Sequence, residues 1–215
     1  MIVMPSNVWD PAVRALNEEF PGRLGNLISP DAWRGPISDY YALDNGRFNA
    51  NGWTADGYWR HLDIAAARPI QPKWVTIPDV FKDPNATLWG WEYWAHRVRT
   101  TYGWDLAFVW QNGITVEDVK NYTDAEVQFI GGDDDIHDGK WTMVPEAAAA
   151  FKRVHIGRVN NPERALLCWR LGVESIDGTG WRRTTRQRKG LRLLLEMMQR
   201  GEKHLQPPLL DECAA

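Results

Sequence analysis

Short runs of apolar and β-branched residues alternate along this chain with longer stretches whose apolar positions recur every three or four residues. The short runs read as buried strands and the longer stretches as amphipathic helices. Strands are predicted at Ile2–Pro5, Leu24–Ser29, Tyr40–Leu43, Trp74–Pro78, Leu106–Trp110, Val127–Ile130, Arg153–Ile156 and Glu174–Ile176. Helices are predicted at Pro11–Glu19 behind a capping Asp10, and at Thr54–Ala67, Asn85–Thr101, Val116–Tyr122, Pro145–Phe151, Pro162–Leu171 and Arg186–Arg200. In Asn85–Thr101 the residues Leu88, Trp91, Ala95 and Val98 fall on one face. In Pro162–Leu171 the proline sits in the first turn, where its missing N–H costs nothing.

Eight predicted strands with helices between them predict an α/β fold of the (β/α)8 TIM-like barrel type. With 215 residues the chain is close to the smallest such barrels, about 200 residues, so the expectation is one compact domain spanning 1–215. The second strand has the weakest pattern; without it the same alternation would give an open, doubly wound parallel sheet.

Composition narrows the class. Hydrophobic residues make up 44% and charged residues 25%, which excludes wholesale disorder. No apolar stretch approaches the ~20 residues of a membrane span, and the N-terminal Met1–Pro5 lacks the basic and apolar regions of a secretory signal. The expectation is a soluble cytoplasmic protein with no membrane partner. Two cysteines, Cys168 and Cys213, cannot build a disulfide framework or a four-cysteine zinc site. The net charge of −3 hides an asymmetry. Residues 180–203 hold eight basic side chains against Glu196 and Glu202, a local +6 that leaves −9 for the rest. A basic C-terminal helix at about 182–203 on an acidic body suits contact with phosphates, although a solvated helix face reads the same way. Thirteen tryptophans are unusual; most suit core and helix packing, and some could stack on bases.

The informative signal lies just after the apolar runs. The predicted strands are followed in turn by Asp44-Asn45-Gly46, Asp79, Gln111-Asn112-Gly113, Gly131-Gly132-Asp133, Gly157-Arg158 and Asp177-Gly178-Thr179-Gly180. Each is an ordinary turn signal alone. In a parallel barrel, however, all strand C-termini share one rim, so these groups converge into a polar pocket suited to a small planar ligand. The chain holds no nucleophile elbow, phosphate loop or dinucleotide fingerprint. His61 and His96 fall in helices, His204 in the tail and His137 in an Asp-rich loop; His155 alone lies in a strand and reads first as a core histidine. Asp133, Asp134, Asp135, His137 and Asp138 offer cation ligands, but consecutive aspartates point in alternating directions, which favours a solvated loop and no metal. What remains is carboxylate chemistry: one Asp attacks an electrophilic sugar carbon while another moves a proton to or from the leaving group.

These residues carry a resemblance. The string from His155 to Asn161 and the string from Leu171 to Trp181 resemble the closing part of the tRNA-guanine transglycosylase superfamily. Leu43–Gly46, Pro78–Val80 with Asp83, Gln111–Gly113 and Phe129–Gly132 occur in that superfamily's order, so the likeness spans about residues 39–181. Among its branches the chain most resembles the phage and bacterial DpdA enzymes, which place 7-deazaguanines into DNA. The resemblance implies that Asp177 is the nucleophile attacking C1′ of a guanosine, and that Asp44 is the general acid and base. It implies that Asp79 and Gln111 read the edge of the base and that Gly131 and Gly132 bond it through their backbone, with Asn45, His155 and Gly157 beside them. Its partners would be DNA, presenting a flipped or single-stranded guanine, and a free 7-deazaguanine base. It needs no cofactor, and it leaves a homo-oligomer open. Trp181, Arg182, Arg183, Arg186, Arg188 and Lys189, directly after the nucleophile, would then meet the nucleic acid.

Two departures matter. The tRNA enzymes carry a Cys/His zinc subdomain that this sequence cannot build, which points to the DNA branch. Leu43-Asp44-Asn45-Gly46 also replaces their Ser-Asp-Ser-Gly, so the neighbours of Asp44 need not bind base in the same manner. The same exchange on tRNA, and a non-catalytic nucleic-acid-binding barrel, are the alternatives. Which deazaguanine is taken depends on Asn45, Asn112 and the Asp133–His137 loop.

Overall fold

A computed structural model describes residues 1–5, 10–30, 33, 35–36, 38–49, 52–135, 137 and 139–202. Eight parallel strands form a nearly closed barrel: β1 (Ile2–Pro5), β2 (Asn26–Ile28), β3 (Tyr41–Leu43), β4 (Val75–Thr76), β5 (Leu106–Trp110), β6 (Val127–Ile130), β7 (Val154–Ile156) and β8 (Ser175–Gly178). They run in the order β1-β8-β7-β6-β5-β4-β3-β2. An isolated Val3–Leu24 bridge joins β1 to the segment entering β2. The strand predicted at Leu24–Ser29 is therefore real, though only three residues long, and the architecture is the expected TIM-like barrel.

Among the described residues seven helices surround the strands: α1 (Pro11–Glu19), α2 (Ala55–Ala66), α3 (Pro84–Tyr102), α4 (Val116–Tyr122), α5 (Lys140–Ala150), α6 (Pro162–Arg170) and α7 (Thr185–Arg200). Six of them start at a side-chain N-cap that the sequence supplies just before the apolar face: Asp10, Thr54, Asp83, Thr115, Asn161 and Thr184. Most boundaries lie within two residues of the sequence expectation, and the helix start furthest from it is that of α5. Pro145 is predicted to open a helix, yet α5 begins at Lys140 and carries the proline inside. The ring forgoes one ladder bond there, while Met143, Val144 and Ala147 remain buried on the core side.

Strand alternation sorts the side chains into two layers. Met4, Leu27, Ala42, Trp74, Ala107, Val109, Val127 and Phe129 pack together as the filling of the barrel. Residues of opposite parity, such as Val3, Leu43, Phe108, Trp110, Ile156 and Ile176, pack outward against the helices. Trp74, Trp110 and Trp181 are among the largest fully buried side chains, so much of the tryptophan content is core. No helix of the described residues is long and apolar enough to cross a membrane.

Candidate active site

The inward parity continues past the last apolar layer, and that is how the rim acquires its chemistry. On β8, Ser175 and Asp177 share a parity while Ile176 points into the outer core. In register on β7, His155 stands beside Ser175. The His155 ring lies 4.5 Å from Phe129 and 4.9 Å from Trp74, centroid to centroid. Its Nδ1 is 2.8 Å from Ser175 Oγ and its Nε2 is 3.1 Å from Asp177 Oδ1. A ring protonated on Nε2 donates to the carboxylate while Nδ1 accepts the serine hydroxyl. Asp177 Oδ1 also accepts the backbone N–H of Arg158, at 3.1 Å. This approach requires glycine at 157, because a Cβ there would stand 2.7 Å from the Phe129 ring and 3.4 Å from Asp177 Oδ1. Arg158 follows with φ +57°, a left-handed conformation uncommon for a side-chain-bearing residue.

Asp44 follows the outward-facing Leu43 and so turns inward. Its N–H bonds Ile28 O at 2.8 Å, and its Oδ2 accepts the Ser29 hydroxyl at 3.1 Å. Burial, followed by the negative charge of Asp177, pushes its carboxyl up to about 6, against the opposing pull of the Gly46 N–H and Ser29. Asp79 is gripped on both oxygens, by Asn45 Nδ2 at 2.9 Å and by Gln111 Nε2 at 2.7 Å. Burial is also the main cause raising its pKa, opposed by the Asn45 bond and by the charges of Arg47 and Arg158.

These groups line one cavity of about 340 Å³, in the size range of small-molecule sites. Leu27, Val109 and Phe129 give it apolar walls, and Phe48 and Phe81 stand exposed at its mouth. Arg158 crosses one side: its guanidinium donates to the Gly131 carbonyl at 2.9 Å and to the Gly132 carbonyl, and lies 4.6 Å from the Phe48 ring. Three carboxylates beside an apolar slot can hold a planar, donor-rich heterocycle, stabilise developing positive charge and shuttle a proton.

No protein-family model and no curated protein matches this chain. The chemistry of the site therefore rests on its own geometry.

Eight of the site residues expected from the sequence, Asp44, Asn45, Asp79, Gln111, Gly131, Gly157, Asp177 and Arg183, line the cavity together. Gly132 contributes the carbonyl held by Arg158, and His155 lies beneath Asp177, fully buried. Trp181 is a correction: expected to stack on a base, it is fully buried within the outer core, where no base can reach it. The basic segment divides. Arg183 lines the cavity mouth and donates to Thr179 Oγ1 at 3.1 Å. Arg186 and Lys189 are exposed on α7, Arg188 approaches Asp10 at 3.9 Å, and Arg192 is bound at both nitrogens by Glu19. Of Arg182 only the backbone is described, and Asp138, Lys203, His204 and Cys213 lie outside the described residues. In the Asp-rich loop, Asp133 pairs with Lys82 at 2.6 Å while Asp134 takes Arg164 at 2.9 Å and Trp141 Nε1 at 2.7 Å. Neighbouring carboxylates thus serve separate partners, and the described residues hold no cluster of His, Cys, Asp or Glu able to ligate a metal.

Ser29, Phe48 and Phe81 are cavity residues that the sequence reading missed, while Arg158 and Thr179, named there among the strand-end groups, were given no role. Arg158 had a signal, its place directly after a strand-ending glycine. Phe48 and Phe81 had none, being single aromatics in turns.

Proposed function

We propose that this protein is a DNA guanine transglycosylase that exchanges guanine for a 7-deazaguanine base through a covalent aspartyl-sugar intermediate. One observation carries the reading: Asp44, Asp79 and Asp177, from strand ends far apart in sequence, line a single purine-sized cavity. The motif order described above supplies the reaction class.

In this reading Asp79, held rigid by Asn45 and Gln111, accepts from N1–H and the exocyclic amine of guanine, a paired recognition that a base lacking either donor loses. An Asp177 oxygen attacks C1′ as the glycosidic bond breaks, and its charge stabilises the oxocarbenium-like transition state. Asp44, whose carboxyl sits near 6, protonates the departing guanine; a titration point close to neutrality lets it both give and retake a proton. Guanine leaves and the deazaguanine enters. Asp44 removes the proton from its ring nitrogen, that nitrogen attacks C1′, and the aspartyl ester breaks, restoring the carboxylate with overall retention. A duplex hides C1′ and the base edge, so the target guanine must be flipped or single-stranded, with Arg183, Arg186 and Lys189 near the phosphates.

The test is mass spectrometry of nucleosides from DNA, and in parallel from tRNA, after incubation with the protein and candidate deazaguanines. Incorporation into DNA, lost in Asp177→Ala, is expected. Incorporation into tRNA alone moves the substrate; nucleic-acid binding with no base release from either polymer makes the barrel a binding module; abasic sites without incorporation make it a hydrolase.

A further inference from the structure

Lys140 is the one charged residue with no exposed surface among the described residues, an environment lysines occupy only when their charge is answered. Its Nζ donates to the carbonyl of Gly157 at 2.7 Å and lies 3.5 Å from Asp134 Oδ1. The Gly157 carbonyl and the Arg158 N–H belong to one peptide group, and that N–H donates to Asp177 Oδ1 at 3.1 Å. In a trans peptide these two ends point in opposite directions. A cation bonded at the oxygen and an anion bonded at the nitrogen therefore polarise the group in the same sense, each strengthening the other's hydrogen bond.

We propose that Lys140 is a positioning residue that acts on Asp177 through the peptide group joining Gly157 and Arg158. The proposal rests on the function above for its catalytic meaning; the coupling itself is a property of the free protein. Two effects combine. The ammonium draws charge through the peptide and favours the ionised carboxylate, the form that attacks a sugar. It also pins the oxygen of a turn whose next residue adopts φ +57°, fixing where the Arg158 N–H aims. The groups facing Lys140 are Asp134 at the end of β6, Arg158 after β7, Asp177 on β8 and Cys168 on α6; Arg164 reaches it through Asp134. Burial and then Arg158 push the Lys140 ammonium down to about 8, with Asp134 and Asp177 opposing, so the relay can be switched within an accessible pH range.

The test uses the isotope-labelled full chain, following the Asp177 side-chain carboxyl carbon and the Arg158 amide nitrogen by NMR from acid to alkaline pH. In the unmodified protein both signals are expected to step together near pH 8, as Lys140 loses its proton. Lys140→Met abolishes that step and shifts the Asp177 carboxyl signal's response toward higher pH, the direction expected when an opposite charge is removed. Lys140→Gln, which keeps a donor without the charge, also abolishes the step. The acid limb of the base-exchange profile moves upward in Lys140→Met, with KM for the free base unchanged. A flat alkaline response of both signals in the unmodified protein overturns the proposal, and that measurement decides even if the variants fail to fold. An unshifted Asp177 titration in folded Lys140→Met overturns it too. Coupling without base exchange would keep the relay and remove the transglycosylase reading; exchange without coupling would do the reverse.

Discussion

The two ends of the barrel hold charge in opposite ways. At the N-terminal end, Arg153 donates to Glu174 at 2.9 and 3.3 Å and to Asp105, and the Tyr40 hydroxyl donates to Glu174 at 2.6 Å. There a guanidinium answers two carboxylates, and burial, helped by Glu174, keeps the phenol protonated. At the C-terminal end Asp44, Asp79 and Asp177 are gathered round one cavity and gripped by amide, hydroxyl and imidazole donors. Hydrogen bonds fix where those oxygens lie, and the carboxyl of Asp44 is raised first by its burial and then by the charge of Asp177 beside it. The first arrangement ties strands together; the second keeps carboxylates poised.

The comparison can be broken or sharpened by substitution. Asp177→Asn should show the largest effect, a loss of base exchange on the order of 10⁴-fold with little change in thermal stability; product formation by mass spectrometry and a melting curve measure the two sides. Asp44→Asn should slow exchange by roughly 10²- to 10³-fold and should also stabilise the fold in a pH-dependent way. Its folded titration point lies above the ordinary value of 3.8, so the wild-type acid costs nothing below about 4 and progressively destabilises the protein as pH rises through about 6. The Asn variant should therefore match wild type in acid and exceed it above pH 6 by on the order of 2 kcal/mol; urea unfolding at acid and neutral pH tests this. Glu174→Gln, at the other end, should lower stability by about 2 kcal/mol, because Arg153 and Tyr40 lose an ionised partner, while kcat stays unchanged. A comparable loss of exchange would erase the distinction between the two ends. The smallest effects belong to the rim cations. Charge reversal at Arg183 and Arg186 should weaken nucleic-acid binding and reduce its salt slope by about one for each phosphate no longer neutralised. Neutralising Arg192, already bound to Glu19, should leave the slope alone.

How much of this was written in the chain depends on which force encodes it. Strand positions were legible because burial on both faces demands continuous apolar runs, so even the three-residue β2 left a trace at Leu24–Ser29. The three aspartates were legible because a polar residue directly after such a run has only one rim to reach. Lys140 was not: the residue type advertises exposure, and its burial depends on a carbonyl contributed from residue 157. Nor was the positive φ of Arg158, since the sequence shows no glycine where the backbone turns. Trp181 misled in the other direction. Its place beside a basic block suggested stacking, whereas its bulk fills the outer core beside α7.

The barrel has two thin joints: β3 meets β4 through the single pair Leu43–Val75, and a second joint closes the ring. Between β1 and the approach to β2 the ring closes through the Val3–Leu24 bridge, with Val3 N–H bonding Arg23 O at 2.9 Å and Gly25 N–H bonding Val3 O at 3.0 Å. The neighbouring joints are longer: β8 meets β1 over four residue pairs and β2 meets β3 over three. A hoop with uneven fastening flexes where it is fastened least. Asp177 stands on the β8 side of the closing joint and Asp44 on the β3 side, so that seam lies between the two carboxylates. On the proposed function, small excursions of that seam alter the gap between the group that attacks and the group that moves the proton.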